Sequence, residues 1–338
     1  MKLFLFITLI AQGGVKERIE LLLHKPLEGL PKLSTATPPT VQTAELGRIL
    51  FFDKRLSRDG TISCASCHKS EFGFGDSGMP VGAGGAVGPR KSQPILNRAF
   101  SAVQFWDGRA DSLEAQILGP ITGHIEMDNT VENAVKTIGA IPGYKPLFKG
   151  AFGDDLVTSE RMFRAISDFE RTLLSGNSRY DRFVKDPDRV PFTEEEKQGL
   201  KIFNGRECHI CHVPPFFTDN KFHNTGVAFK NGTFTDEGRF GFTKTLGQGK
   251  PEELGAFKTP TLREVSKRAP YMHNGEMKSL EEVVEFYNKG GTRNPQLDKE
   301  VFPLGLRPAD KVALLAFLRT LDGEGFEETE PREEEFPQ

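Results

Sequence analysis

Two short strings carry the chemistry of this chain: Cys64-Ala65-Ser66-Cys67-His68 and Cys208-His209-Ile210-Cys211-His212. Two thiols separated by two residues, with an imidazole directly behind them, are what covalent attachment of a c-type haem requires. Each sulfur adds to one vinyl group of the porphyrin, and the short loop aims the histidine at the iron as proximal ligand. A zinc site would use the CxxC pairs but has no need of a histidine after each. A disulfide or a thioredoxin-like CxxC leaves both histidines unexplained. The sequence holds four cysteines, and the two motifs use all of them. Two covalently bound haem c groups are therefore expected, attached at Cys64, Cys67, Cys208 and Cys211, with His68 and His212 as iron ligands.

The elements that position these strings are helical. Residues 43–52 place Leu46, Ile49 and Leu50 on one face and run towards the first motif. Thr193 with Glu196 forms a capping box that opens a helix through Phe203 into the second. Further helical patterns cover 112–118, 130–138, 159–174 (with Ser159 as cap), 280–288 and 308–321, while a glycine-rich loop, 73–89, is expected over the edge of the first haem and 216–257 reads as a long irregular insertion. The halves repeat each other. Gly47 and Phe51 precede the first motif as Gly199 and Phe203 precede the second; Pro94-Ile95-Leu96 answers Pro260-Thr261-Leu262, Asp107-Gly108 answers Asn274-Gly275, and Ser112-Leu113-Glu114 answers Ser279-Leu280-Glu281. The expected fold is mainly α, two cytochrome c-like haem domains related by an internal repeat, spanning 16–190 and 191–323.

At 338 residues the chain can bury two cores, and a net charge of −3 gives no electrostatic case for nucleic acid. Residues 1–15 hold one early lysine and a short apolar run, so they resemble a secretory leader and are too short to span a bilayer. Haem attachment to CxxCH takes place outside the bacterial cytoplasm, so a periplasmic location without a membrane span is expected. Residues 324–338 are acidic, contain two prolines and read as a solvated tail.

The repeat also distinguishes the two irons. Seven residues past Leu113 stands Pro120; seven past Leu280 stands Tyr287. A phenolate can bind iron and a proline cannot, so the first iron is expected open and the second closed by Tyr287, with Met272 and Met277 as competing ligands. One haem would do chemistry while the other handles electrons. Glu126, in a short stretch between apolar segments, is the candidate for moving protons at the open iron. Gln116 is a candidate for positioning a small bound molecule, and His124 is a further candidate. Trp106, the only tryptophan, suits an electron relay between the haems, and the forks of Arg90 and Arg109 suit haem propionates.

Together these residues resemble the bacterial dihaem cytochrome c peroxidase family, including its MauG-like branch. The resemblance rests on LGRILFFDKRLS at 46–57, both CxxCH motifs, Gly88-Pro89-Arg90, FWDGRA at 105–110, Glu126-Met127, TPTLREV at 259–265 and APYMHNG at 269–275. It implies a peroxidatic N-terminal haem on His68, an electron-accepting C-terminal haem on His212, Trp106 between them, and Gln116 and Glu126 as active-site residues. The implied reaction reduces hydrogen peroxide to water with electrons from a small periplasmic donor, a cytochrome c or a cupredoxin. In the MauG-like branch the oxidising equivalents go to residues of a partner protein instead. A plain electron carrier is a third reading, disfavoured because a carrier keeps both irons six-coordinate. Three departures matter. Ala83 stands where the peroxidases carry a loop histidine that caps the resting iron. Tyr287 replaces their methionine ligand, as in the MauG-like branch. Lys91 takes the place of the asparagine that helps hold an inter-domain calcium, which argues against the ion and offers an ammonium in its stead.

Overall fold

Two helix crossings, each closed at a glycine, organise the chain. Val41–Phe52 crosses Ser159–Thr172, and Glu194–Gly205 crosses Pro308–Arg319. A Cβ on Gly47 would lie 1.8 Å from the Ala165 carbonyl oxygen, and one on Gly199 2.0 Å from that of Ala313. Only a residue without a side chain lets these backbones approach so closely. A hydrophobic cluster surrounds each crossing. In the first, the Phe51 ring lies 5.2 Å from Phe169 and 6.3 Å from Phe74; in the second, Phe203 lies 5.0 Å from Phe317 and 6.1 Å from Phe217. Such spacings suit edge-on aromatic pairing.

The structure, a computed structural model, describes residues 19, 23–35, 37–326 and 329–338, so the leader expected at 1–15 lies outside the described residues. Within them, local geometry recurs in pairs. Phe74 and Phe217 both take φ 53°, Asn97 and Glu264 take 59° and 58°, and Phe105 and Met272 both take 68°. Single 3₁₀ turns follow at Arg98–Phe100 and Val265–Lys267, and isolated bridges join Gln104 to Ala110 and Tyr271 to Met277. Ser112 caps the helix Leu113–Thr122 by accepting from the Ala115 amide, as Ser279 caps Leu280–Asn288 by accepting from Glu282. The sequence match at Pro94 and Pro260 is one residue out of step with this register, which holds from Asn97 and Glu264 onward.

Other boundaries move slightly. Thr40 caps the first helix, which starts two residues earlier than expected, Thr158 rather than Ser159 caps Ser159–Thr172, and Leu113–Thr122 runs through Pro120 near its end. Val131–Gly139 forms as expected, and two helices that sequence periodicity did not mark, Tyr144–Phe152 and Arg179–Lys185, are present. The 216–257 insertion forms two small antiparallel ladders, Phe229–Lys230 with Thr233–Phe234 inside it and Phe222–His223 with Phe257–Lys258 across its end. No helix among the described residues is long and apolar enough to cross a membrane.

The acidic C-terminal segment is not a solvated tail. Glu335 reaches the fully buried Arg48 side chain at 2.7 Å, the Pro337 carbonyl accepts from Arg55 at 2.9 Å, and the Gln338 carbonyl accepts from the Gly143 amide at 3.0 Å. Phe326 is buried against Phe74, with ring centres 6.2 Å apart. Its charge is used as a counter-charge to a buried guanidinium, which needs a partner.

The glycine crossings give the first prediction. Gly199→Ala forces its helix off Ala313 and should lower stability by about 2–3 kcal/mol, read as a drop in the denaturant midpoint. Gly205→Ala, in the same helix with no atom within 4 Å of its Cβ position, should change stability by under about 1 kcal/mol.

Candidate active site

Each CxxC string forms a single helical turn, Cys64–Cys67 and Cys208–Cys211, with the histidine at its C-cap, and all four thiols are free. The turn projects both thiols and the imidazole into one cavity per motif. His68 Nδ1 lies 3.1 Å from the Phe74 carbonyl oxygen and His212 Nδ1 2.9 Å from that of Phe217. A carbonyl only accepts, so each Nδ1 carries its hydrogen and donates, leaving the Nε2 lone pair free for a metal. Burial keeps both rings neutral, holding His68 below its ordinary value and His212 at about 4.

The N-terminal cavity brings together Cys64, Cys67, His68, Gln116, Pro120 and Glu126. Glu126 Oε2 sits 2.6 Å from where a Gly123 Cβ would be, so the glycine reserves the carboxylate's space. Burial raises the Glu126 pKa, with the Arg109 guanidinium opposing. The Glu126 carbonyl accepts from the Ala83 amide at 2.7 Å, and a Cβ on Gly82 would lie 2.3 Å from the Ile125 carbonyl oxygen. The glycine loop is thus pinned beneath Glu126, and buried Ala83 presents no donor atom to the cavity. His124 does not join the site: its side chain is 94% exposed and bonds Asp128.

The C-terminal cavity holds Cys208, Cys211 and His212 with both Tyr287 and Met272 in its wall. Met277 is buried but lies outside that wall. Burial pushes the Tyr287 phenol up, and the Cys211 and Cys208 thiols beside it add to the effect. Among the described residues the one His/Cys/Asp/Glu group close enough to share a metal ion is Cys211, Asp219 and His223. His223 is held at about 11 chiefly by its bond to Asp219, with Asp298 on its other nitrogen, and Cys211 belongs to the CxxCH turn.

Trp106 lies in the walls of both cavities. Its indole N–H donates to the Lys91 carbonyl at 2.7 Å, and its own carbonyl accepts from the Lys258 amide at 2.8 Å. Lys91, also common to both walls, is buried and donates from Nζ to the Arg268 carbonyl at 2.9 Å. Burial and the neighbouring Arg268 bring its ammonium down to about 8.

Arg90 and Arg109 line the N-terminal cavity, but protein carboxylates already engage them. Arg90 makes a two-bond fork to Asp236 and a third bond to Asp107, all at 2.7 Å, and Arg109 bonds Asp107 while lying over the Phe105 ring. Asp236 stands far away in sequence, and no local pattern announces the pair. Sequence reasoning also missed Arg98, Glu170 and Lys258. Arg98 and Glu170 line the N-terminal cavity, where burial brings Arg98 down to about 10 and Glu170 up to about 8. Lys258 is fully buried in the wall of the other, its Nζ without a hydrogen-bond partner.

This donor set fits a haem in each cavity: paired thiols on one turn, an imidazole of fixed tautomer, mainly apolar walls, and buried cations for carboxylates. Residues 41–189 match the family described as di-haem cytochrome c peroxidase. The methylamine utilization protein MauG of Methylorubrum extorquens is 39% identical over 298 residues, covering 86% of this chain and 80% of that protein. The cytochrome c551 peroxidase of Nitrosomonas europaea is 35% identical over 300 residues, covering 88% and 85%. A solved MauG-like protein associated with microbial copper homeostasis superposes with a TM-score of 0.79 at 31% identity, covering 87% of this chain and 95% of that one. With this identity sustained over most of both partners, the chain belongs to the di-haem cytochrome c peroxidase family, a family of peroxidase-type oxidoreductases that carry two haems.

Proposed function

We propose that the protein reduces hydrogen peroxide to water in the periplasm with electrons from a small redox protein, a cytochrome c or a cupredoxin. Two haem c groups are held, one in 16–190 through Cys64, Cys67 and His68, the other in 191–323 through Cys208, Cys211 and His212. The carrying observation is the inequality of the cavities: Pro120 stands in one where Tyr287 stands in the other, at the same place in matched helices.

Haem iron, when bound, supplies the site that takes peroxide and the electrons that cleave it. The chain's own residues handle the protons. The Glu126 carboxylate takes the proton from one peroxide oxygen and returns it to the other as the O–O bond breaks, so that this oxygen leaves as water. Gln116 orients the peroxide, and the pinned Gly82–Ala83 backbone keeps the carboxylate in place. Two electrons and two further protons complete the second water. Trp106, shared by both cavities, is the path between the haems. Lys91 supplies the positive charge between the domains, in place of calcium. Tyr287 would hold the iron of the second haem together with His212, with Met272 the remaining competitor.

A second reading, that the oxidising equivalents are sent to residues of a partner protein as in the MauG-like branch, is favoured by Tyr287, since an anionic phenolate stabilises oxidised iron. Mixing the fully oxidised protein with peroxide and reduced cytochrome c separates the two. Steady oxidation of two donors per peroxide, without pre-reduction because no loop side chain caps the first iron, is expected. A donor left reduced while the oxidised protein persists would establish the second reading.

Glu126→Gln keeps the side chain's shape and loses the proton. Reaction with peroxide should slow by about 10² to 10⁴-fold with both haem spectra retained. In the wild type the proton-accepting carboxylate is lost as pH falls through its raised pKa, so the rate should drop on the acid side at a pH above the usual carboxylate range, and the variant should lose this limb. Stopped-flow absorbance against pH reads both.

Tyr287→Phe should convert the C-terminal haem to a form that binds cyanide, giving two binding events per chain where the wild type gives one. An unchanged low-spin spectrum and a single event would assign the ligand to Met272.

A further inference from the structure

Burying a charge without a partner is costly, and among the described residues the cations lining the two cavities are accounted for apart from Arg206, which is exposed to solvent, and Lys258, which is not. Arg90 and Arg109 meet Asp236 and Asp107. Arg98 donates to Gln104 and to the Val103 carbonyl, and Arg268 to the Glu264 and Thr261 carbonyls. Lys91 reaches the Arg268 carbonyl. Lys258 has nothing: its side chain is fully buried, its Nζ makes no hydrogen bond, and the charge that acts on it is the repulsive Arg98. Burial, with the Arg98 charge adding to it, drives this amine well below its ordinary value.

The residue is not loosely placed. Its backbone pairs with Phe222 in a two-residue ladder, and its amide is bonded to the Trp106 carbonyl at 2.8 Å. It stands in the wall of the C-terminal cavity beside Thr259, Pro260 and Thr261, which also line it. A lysine fixed at such a place meets an anion that the polypeptide does not supply. Haem brings two carboxylates into its cavity, and they are the anions at hand.

We propose that Lys258 anchors a propionate carboxylate of the haem in the C-terminal cavity, its ammonium forming the ion pair that no protein carboxylate offers. The proposal rests on the reading that this cavity holds a haem. It makes Lys258 the link between that haem and Trp106, because one residue binds the carboxylate through its side chain and the indole residue through its backbone. The paired ammonium cancels propionate charge near the iron and so favours the reduced form.

The test uses the full-length protein with its haems attached. Haem content of the wild type is measured first; fewer than two covalent haems per chain would refute the underlying reading rather than the role of Lys258. Potentiometric titration of Lys258→Met should then lower the C-terminal haem's potential by a factor of about ten in its reduction equilibrium, about 59 mV for a one-electron couple. Lys258→Arg should restore it. An unchanged C-terminal potential, or a shift confined to the N-terminal haem, overturns the assignment. The wild type provides an arm free of mutation. A propionate held by an ammonium stays ionised, so the C-terminal potential should be flat from roughly pH 6 to 8, a range in which an isolated buried carboxyl titrates. A slope near 59 mV per pH unit there overturns the proposal even if no variant accumulates.

Discussion

Two imidazoles must each present an unprotonated Nε2 to a cavity, and much of the fold can be traced to that requirement. Nδ1 must hold the hydrogen, so a carbonyl must face it, and in each half the carbonyl comes from a phenylalanine in the left-handed region, Phe74 or Phe217. That conformation is unfavourable for a bulky side chain and persists only where the surroundings over-determine it. The surroundings are the aromatic clusters: Phe74 is packed by Phe51, and Phe217 by Phe203 and Tyr180. Phe51 and Phe203 are held in turn by helices whose crossing distance is set at Gly47 and Gly199. A missing methyl group at a helix crossing thus reaches, through two rings and one carbonyl, the tautomer of a histidine.

This chain of dependence explains what the sequence made legible. CxxCH is readable because the covalent haem attachment we propose for it would fix both spacing and order. Gly47-Phe51 and Gly199-Phe203 are readable because each helix needs a small residue at the crossing and an aromatic one turn on. The match of Pro120 to Tyr287 followed from the Ser-Leu-Glu triplets, and both occupy the eighth position of their helices. What stayed hidden depends on partners remote in sequence. Arg48 is an unremarkable helix residue until Glu335 reaches it, and the acidic tail looks solvated until that guanidinium is seen to be buried. Arg90 reads as a propionate ligand until Asp236 fills its fork. Tyr144–Phe152 carries an internal proline and two glycines within or just beyond it, which masks a helix whose Tyr144 and Phe148 are fully buried. In Phe257-Lys258-Thr259 nothing local marks the lysine as an interior residue.

The same physics separates the two cavities. Both have a histidine turn and apolar walls, but they differ in what the matched helix offers: an imino ring that cannot ligate, or a phenol driven up by burial. In the N-terminal half the segment after the helix folds back so that Gly123 leaves room for the Glu126 carboxylate, and the glycine loop is bonded to the backbone under it. A larger residue at Gly82 would collide with the Ile125 carbonyl and displace Glu126 with it. The loop's composition therefore has two effects at once: it presents no ligating side chain to the cavity, and it is thin enough to brace the Glu126 backbone. A loop without ligating side chains and a positioned carboxylate arise from one local packing arrangement, so a side chain added at Gly82 would also move the carboxylate.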